Sequence, residues 1–331
     1  MKLIAETAWH HDGDFSFFSN LINEIIKSST DIVKVHVLLD LEKYMDKTHP
    51  AFDFLQERVF SSSQWSEILS KIQSSNKELM TLINDVDALK LAAHYQPSLV
   101  EVHSVALNNY ALLREIDQTF SDDTKIVLGV GGSTIYEIEN AASQFKNKKI
   151  VLMFGFQNYP TNYEDVNFNK IRRIMKAFPE YEFGYADHTA WDIKENTLIT
   201  LMGAALGMDY IEKHVTTQYG EQRTDWSAAI NFEMFEEIKR GMNILDKCNG
   251  DGLLRLNAGE QKYCEAGMMK QIAIANKAID IGEIFELSSV DFLRSGLPNG
   301  MQQIDVWAKN GLELKKPIAK GEVVTMQHFS E

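Results

Sequence analysis

Two histidines stand where two neighbouring apolar runs end. Asp187-His188 follows one run, and Glu212-Lys213-His214 closes the next. Imidazoles on adjacent strand ends of a closed barrel can converge on one divalent cation, with water and substrate oxygens filling the remaining positions. A lone histidine is more often a hydrogen-bonded packing residue. A pair at matching positions points to a metal centre held by His188 and His214. Glu6 ends the first apolar run, near the barrel axis, where an unpaired carboxylate is costly. It reads either as a general base or as the partner of Lys34 on the adjacent strand, and spacing admits both. Other polar residues gather at strand ends in the same way: Lys34 and His36, Thr81, Glu101 and Ser104. His10 and His11 could also serve as ligands, but His10-His11-Asp12-Gly13 reads first as a solvated turn. Gly129-Val130-Gly131-Gly132-Ser133 reads first as a turn that lets a strand enter a helix closely, ahead of an anion cradle.

The elements that must position these residues follow a simple pattern. Short β-branched runs alternate with segments of helical periodicity, as in βα units around a parallel sheet. Eight strands are expected, near residues 2–5, 31–37, 77–81, 97–102, 124–129, 148–154, 181–185 and 208–212. Eight close a (β/α)8 barrel, and active sites of such barrels lie just after the strands. Helices are expected between them, among them one over 133–145 opened by a Thr134/Glu137 capping box. A doubly wound sheet is the rival, but Gly129-Val130-Gly131-Gly132 does not fit the dinucleotide fingerprint.

Composition narrows the functions. The chain has 331 residues, 44% hydrophobic and 24% charged, with a formal net charge of -14. That is the balance of a folded protein, and its acidity disfavours nucleic acid as a partner. No apolar run reaches the ~18 residues of a membrane span. Only Cys248 and Cys264 occur, so a disulfide framework is not available. A cytoplasmic enzyme acting on small molecules is expected.

The barrel is expected over 1–250, a linker over 251–269 and a small β-rich domain over 270–331. Within the last, Ala278-Ile279-Asp280-Ile281-Gly282-Glu283 resembles Pro317-Ile318-Ala319-Lys320-Gly321-Glu322. Two such copies suggest a module with pseudo-twofold symmetry.

Several segments resemble the sialic acid synthase (N-acetylneuraminate synthase) family over nearly the whole chain. They are Ile4-Ala5-Glu6 with His11-Asp12-Gly13, Val33-Lys34, Asn108-Asn109-Tyr110, Tyr159-Pro160-Thr161, Gly184-Tyr185-Ala186-Asp187-His188-Thr189 and Ile211-Glu212-Lys213-His214. Arg294-Ser295-Gly296 and the repeated Gly-Glu turns resemble that family's antifreeze-like (SAF) domain. The resemblance implies a condensation of phosphoenolpyruvate with an N-acetylated hexosamine, dependent on Mn2+ or Mg2+, which yields a nonulosonic acid for a surface polysaccharide. It assigns Glu6, His188 and His214 to catalysis. Lys34, Thr81 and Ser104 fall at phosphoenolpyruvate positions, His36, Tyr159 and Asp225 at amino-sugar positions, and Asn109 at a further substrate position. Arg294 matches an arginine that enters the barrel of the other subunit, which implies a domain-swapped homodimer.

Some positions depart from that family. Glu101 replaces a lysine that holds phosphoenolpyruvate, Gly129 and Ala186 stand at serines, Ala106 at a glutamate, Gln157 at an asparagine and His36 at a glutamine. A carboxylate ~4 Å from a phosphate costs about 4 kcal/mol per unit charge at an effective dielectric of 20. Two alternatives follow: a barrel aldolase or lyase that uses another keto acid, and a catalytically weakened sugar-binding paralogue.

Overall fold

The structure is a computed structural model that describes residues 1–156, 158–264 and 267–330. Gln157 lies outside the described residues. Two compact units are present, Met1–Gly250 and Asp251–Glu331.

Eight parallel strands of the first unit close into a barrel in chain order. They are β1 (Lys2–Glu6), β2 (Ile32–Val37), β3 (Glu78–Ile83), β4 (Leu99–Val102), β5 (Lys125–Gly129), β6 (Ile150–Phe154), β7 (Glu182–Ala186) and β8 (Tyr210–His214). The fold is a (β/α)8 barrel, and each strand lies within two residues of its expected bounds. β1 pairs with both β2 and β8, which completes the ring. Alternation along the strands sorts side chains into two populations. Ile4, Ile32, Met80, Leu99, Val127 and Val151 fill the barrel interior. Their neighbours Leu3, Val33, Leu79, Val100, Ile126 and Leu152 belong to the outer core packed against helices.

Local signals explain where the helices begin. Asp14 accepts from the Phe17 amide and opens the helix Phe15–Lys27, while Thr134 and Glu137 form the expected capping box at the helix Ile135–Ala142. The turn between β5 and that helix needs glycine for steric reasons. A Cβ on Gly131 would lie 2.0 Å from the Phe156 carbonyl oxygen. This supports close packing of two loops as the reason for the Gly-rich run.

In the second unit, β9 (Ile272–Ala275) and β10 (Val290–Leu293) form an antiparallel pair. The internal repeat has a structural counterpart. Ile279 and Ile318 bridge each other, and Glu283 and Glu322 each accept from a backbone amide three residues earlier, Asp280 and Ala319, at 2.8 Å. Gly282 and Gly321 adopt matching φ values of 86° and 87°. The segment expected as a linker includes a short helix, Ala258–Gln261.

One close contact ties a barrel helix to its strand. A Cβ on Gly203 would meet the Tyr185 ring at 2.2 Å, and Tyr185 is fully buried. Gly203→Ala is therefore expected to lower stability by about 1–3 kcal/mol despite alanine's better helix propensity. Urea denaturation checks this; a more stable variant would show that the Tyr185 ring can move aside.

Candidate active site and metal centre

Glu6 is the hinge of the site because of its register. Its Cα pairs with Lys34 on β2 and with His214 on β8. All three side chains point into the barrel mouth, where they line a cavity of about 220 Å3. Lys34, Glu101 and Glu212 come from the even-numbered strands β2, β4 and β8, the pattern of one side-chain layer inside such a barrel. Lys34 Nζ lies 2.6 Å from Glu101, 2.8 Å from Glu212 and 3.2 Å from Glu6. All four are at most 3% exposed.

One ammonium thus serves three carboxylates in a dry layer, and their proton affinities diverge. Burial alone would lower the Lys34 pKa, but Glu101, Glu212 and Glu6 hold it well above its ordinary value. For Glu212, burial and the Glu6 charge push the carboxyl well up against the pull of Lys34. Glu101 is raised by burial and, to a lesser degree, by Glu6, again against Lys34. Burial would raise Glu6 too, yet Lys34, His214 and His36 outweigh it and hold this carboxyl well below the usual range. Glu6 is therefore the carboxyl of the layer that gives up its proton most readily.

Glu6, His188 and His214 offer ligand atoms that all lie within 4.8 Å of one another. The donors fit a divalent cation. His188 Nδ1 donates to the Ala186 carbonyl at 2.9 Å, which leaves Nε2 as its ligating lone pair. Burial, with His214 adding to it, lowers the His188 pKa to about 3, so the imidazole is neutral. Glu6 Oε2 lies 3.1 Å from His214 Nε2 with no donor aligned on it among the described residues. Two imidazoles and one carboxylate suit Mn2+ or a similar ion. Behind β7 and β8, on the helix side, Lys213 pairs with Asp187 at 2.9 Å, and both are fully buried. Thr200 and Thr189 also donate to Asp187. This network fixes the two strand ends that carry the histidines.

The other expected residues divide clearly. His36, Ser104, Tyr159 and Asp225 line the cavity. His36 Nε2 contacts Glu6 Oε1, and the Tyr159 hydroxyl donates to the Asp225 carbonyl. Asp225 Oδ2 accepts from the Trp9 amide at 3.1 Å, which joins the loops after β1 and β8. Thr81 does not face the cavity. It alternates with the interior residues Met80 and Leu82 and shares the helix-facing side with Leu79, so Leu82 lines the mouth instead. Asn109 caps the helix Tyr110–Thr119, where its side chain accepts from Leu112 at 3.2 Å, and it is absent from the cavity wall. Arg294, in the second unit, donates to the Met268 carbonyl at 2.8 Å.

Glu101, Gly129 and Ala186 all reach the cavity. A Cβ at Gly129 would come within 2.8 Å of the Ser104 backbone nitrogen, so the loop after β4 holds that position to glycine. Sequence reading assigned no role to His103, Asn84 or Trp9, which also line the wall. His103 follows β4, and period-two counting from Glu101 was the signal that could have found it.

Comparison with known proteins then places the chain. The NeuB family model matches residues 26–253. The chain belongs to the NeuB family. An uncharacterized protein of Methanocaldococcus jannaschii is 25% identical, across 89% of this chain and 85% of that protein. The N,N'-diacetyllegionaminic acid synthase of Legionella pneumophila is 21% identical, across 76% of this chain and 73% of the relative. Among solved structures, a spore coat polysaccharide biosynthesis protein E from Chromobacterium violaceum superposes with a TM-score of 0.82 at 19% identity, covering 99% of each chain. That likeness shows a shared fold across the whole length of this NeuB-family chain. Among the described residues, no helix is long and apolar enough to cross a membrane.

The metal reading makes a direct prediction. His188→Ala and His214→Ala should each weaken Mn2+ binding at least about tenfold, since each removes one of a small donor set. Electron paramagnetic resonance titration of free Mn2+ measures this, and wild-type affinity in both variants would exclude the centre.

Proposed function

We propose that this NeuB-family chain is a metal-dependent synthase that joins a three-carbon donor to the open-chain aldehyde of an N-acetylated hexosamine, giving a sialic acid-like nonulosonic acid. The observation that carries this reading is the buried Glu6, His188, His214 set at the mouth of the barrel. Support comes from the family match and from the Legionella relative, which is named an N,N'-diacetyllegionaminic acid synthase. A divalent cation held by these residues would supply Lewis acidity toward the acceptor aldehyde. Glu6, adjacent to His214, would help position or deprotonate the water that adds to the donor carbon. His36 and Asp225 on the cavity wall would hold the sugar, with Tyr159 bonded to the loop of Asp225. In the first reading the donor is phosphoenolpyruvate, with Lys34 and Ser104 at its anionic groups, and inorganic phosphate leaves. The small unit would act as an antifreeze-like domain that lends Arg294 to a partner's barrel in a homodimer.

A second reading of the donor rests on Glu101. Lys34 is the sole lysine or arginine among the described residues of the cavity wall, which also carries Glu6, Glu101, Glu212 and Asp225. Glu101 engages the Lys34 ammonium at 2.6 Å, and where it is ionised it sets a like charge beside a phosphate dianion in a dry layer. Pyruvate carries one negative charge and no phosphate. In that case a proton leaves its methyl group, the new carbon–carbon bond forms at that carbon, and the aldehyde oxygen takes up a proton.

The test offers both donors with Mn2+ or Mg2+ and a panel of N-acetylated hexosamines, followed by mass spectrometry. A nine-carbon 2-keto acid formed only with sugar, donor and metal together is expected. Phosphate release identifies phosphoenolpyruvate, and product without phosphate identifies the keto acid; no product from either sinks the synthase. Glu101→Lys should tighten phosphoenolpyruvate binding, by about a thousandfold at most for the ~4 kcal/mol repulsion. Unchanged affinity in that variant would mean that Glu101 does not oppose the donor phosphate. Arg294→Ala should reduce turnover while the melting temperature stays at the wild-type value; full activity would exclude a role for that side chain.

A further inference from the structure

Behind His214 stands a second histidine whose polar atom has no described use. His10 is 1% exposed, and its Nδ1 lies 2.7 Å from the Thr224 carbonyl oxygen. A carbonyl only accepts, so Nδ1 carries the proton and Nε2 presents a lone pair. That Nε2 is buried and has no hydrogen-bond partner. The same is true of His214 Nδ1. The two rings meet edge to face, with centroids 5.6 Å apart and planes at 81°. Two unpartnered ring nitrogens thus belong to two imidazoles in contact, in a region where each unmade hydrogen bond costs on the order of 1–3 kcal/mol.

We infer that His10 is the positioning residue of the metal ligand His214, accepting its Nδ1–H at Nε2 directly or through one water. The inference rests on the metal reading of Glu6, His188 and His214. When His214 uses Nε2 as a ligand, its proton must sit on Nδ1, and a buried Nδ1–H needs an acceptor. His10 supplies a lone pair from a ring that Thr224 locks in the required tautomer. The resulting relay runs from the Thr224 carbonyl through His10 to His214 and its ligating nitrogen. His188 obtains the same service from its own strand, through the Ala186 carbonyl. The end of β1 and the loop after it therefore flank His214, with Glu6 against its Nε2 and His10 against its ring.

The anchor of this relay is itself braced. Arg223 donates to the His10 carbonyl at 3.1 Å, and the Thr224 amide donates to Asp12 at 3.1 Å. Loop residues 10–12 and 223–224 thus clasp each other from both sides, which sets the His10 ring against His214.

The test measures Mn2+ dissociation constants without substrate, by electron paramagnetic resonance, for the full chain and for His10→Phe, His10→Ala and His10→Gln. Melting temperatures identify the variants that remain folded. Outer partners of metal-bound histidines typically contribute about 10–100-fold in affinity. His10→Phe and His10→Ala should weaken binding by that amount, and His10→Gln, which retains an acceptor oxygen, should recover most of it. Wild-type affinity in a folded Phe or Ala variant overturns the assignment, as does a Gln variant as weak as Ala. Wild-type protein that takes up no Mn2+ overturns the metal centre itself, and His10's role with it. Weak binding confined to the His10 variants supports the relay and leaves the centre standing.

Discussion

One ammonium among three carboxylates is the constraint around which the barrel mouth is arranged. Lys34 is too deeply buried to share its charge with water, and Glu6, Glu101 and Glu212 all lie within 3.2 Å of it. Removal of the lysine would leave carboxylates stranded in a dry layer, the kind of loss that costs about 3–5 kcal/mol. With the lysine present, the layer still carries more negative than positive groups. It can settle that excess by keeping protons on Glu212 and Glu101, which burial favours, and by drawing a cation to Glu6. The electrostatics of the layer and the geometry of the histidines therefore favour the same occupant.

This arrangement also separates the chain from a simple copy of its resemblance. At the end of β4, Glu101 binds Lys34 and ties up the cation that would face an anionic donor. Under the proposed function, the groups for metal and acceptor remain available, while those for a phosphate are reduced. On the same reading, selection among donors would fall to the end of β4, and selection among acceptors to His36 on β2 and to the loops that carry Tyr159 and Asp225.

Much of the fold was legible because the chain keeps its patterns separate. β-branched runs alternate with helical segments, so all eight strands could be placed, and Thr134 with Glu137 announced a helix start that the structure reproduces. Strand-end counting also brought His188, His214, Glu6 and Lys34 to one face, and all four line the cavity. It missed at Thr81, where a one-residue difference in a period-two element moves the side chain from the cavity to the helix face. Asn109 misled for another reason: an asparagine ahead of a helix serves as a cap, and its type does not reveal that. His10 was hidden by composition. A His-His-Asp-Gly run looks like a surface turn, and the contacts with His214 and residues 223–224 that hold the His10 ring are remote in sequence.

The pair Lys213 and Asp187 bears on how this site can change over time. Along β8, side chains alternate between the cavity, which receives Glu212 and His214, and the helix side, which receives Lys213. A single inserted or deleted residue within that strand would bring an ammonium to the metal position and bury an imidazole against the helices. Asp187 would lose its counter-ion in the same step. Around β8, length variation is therefore confined to the loops beyond His214 and before Tyr210, and divergence on the strand itself proceeds by substitution alone.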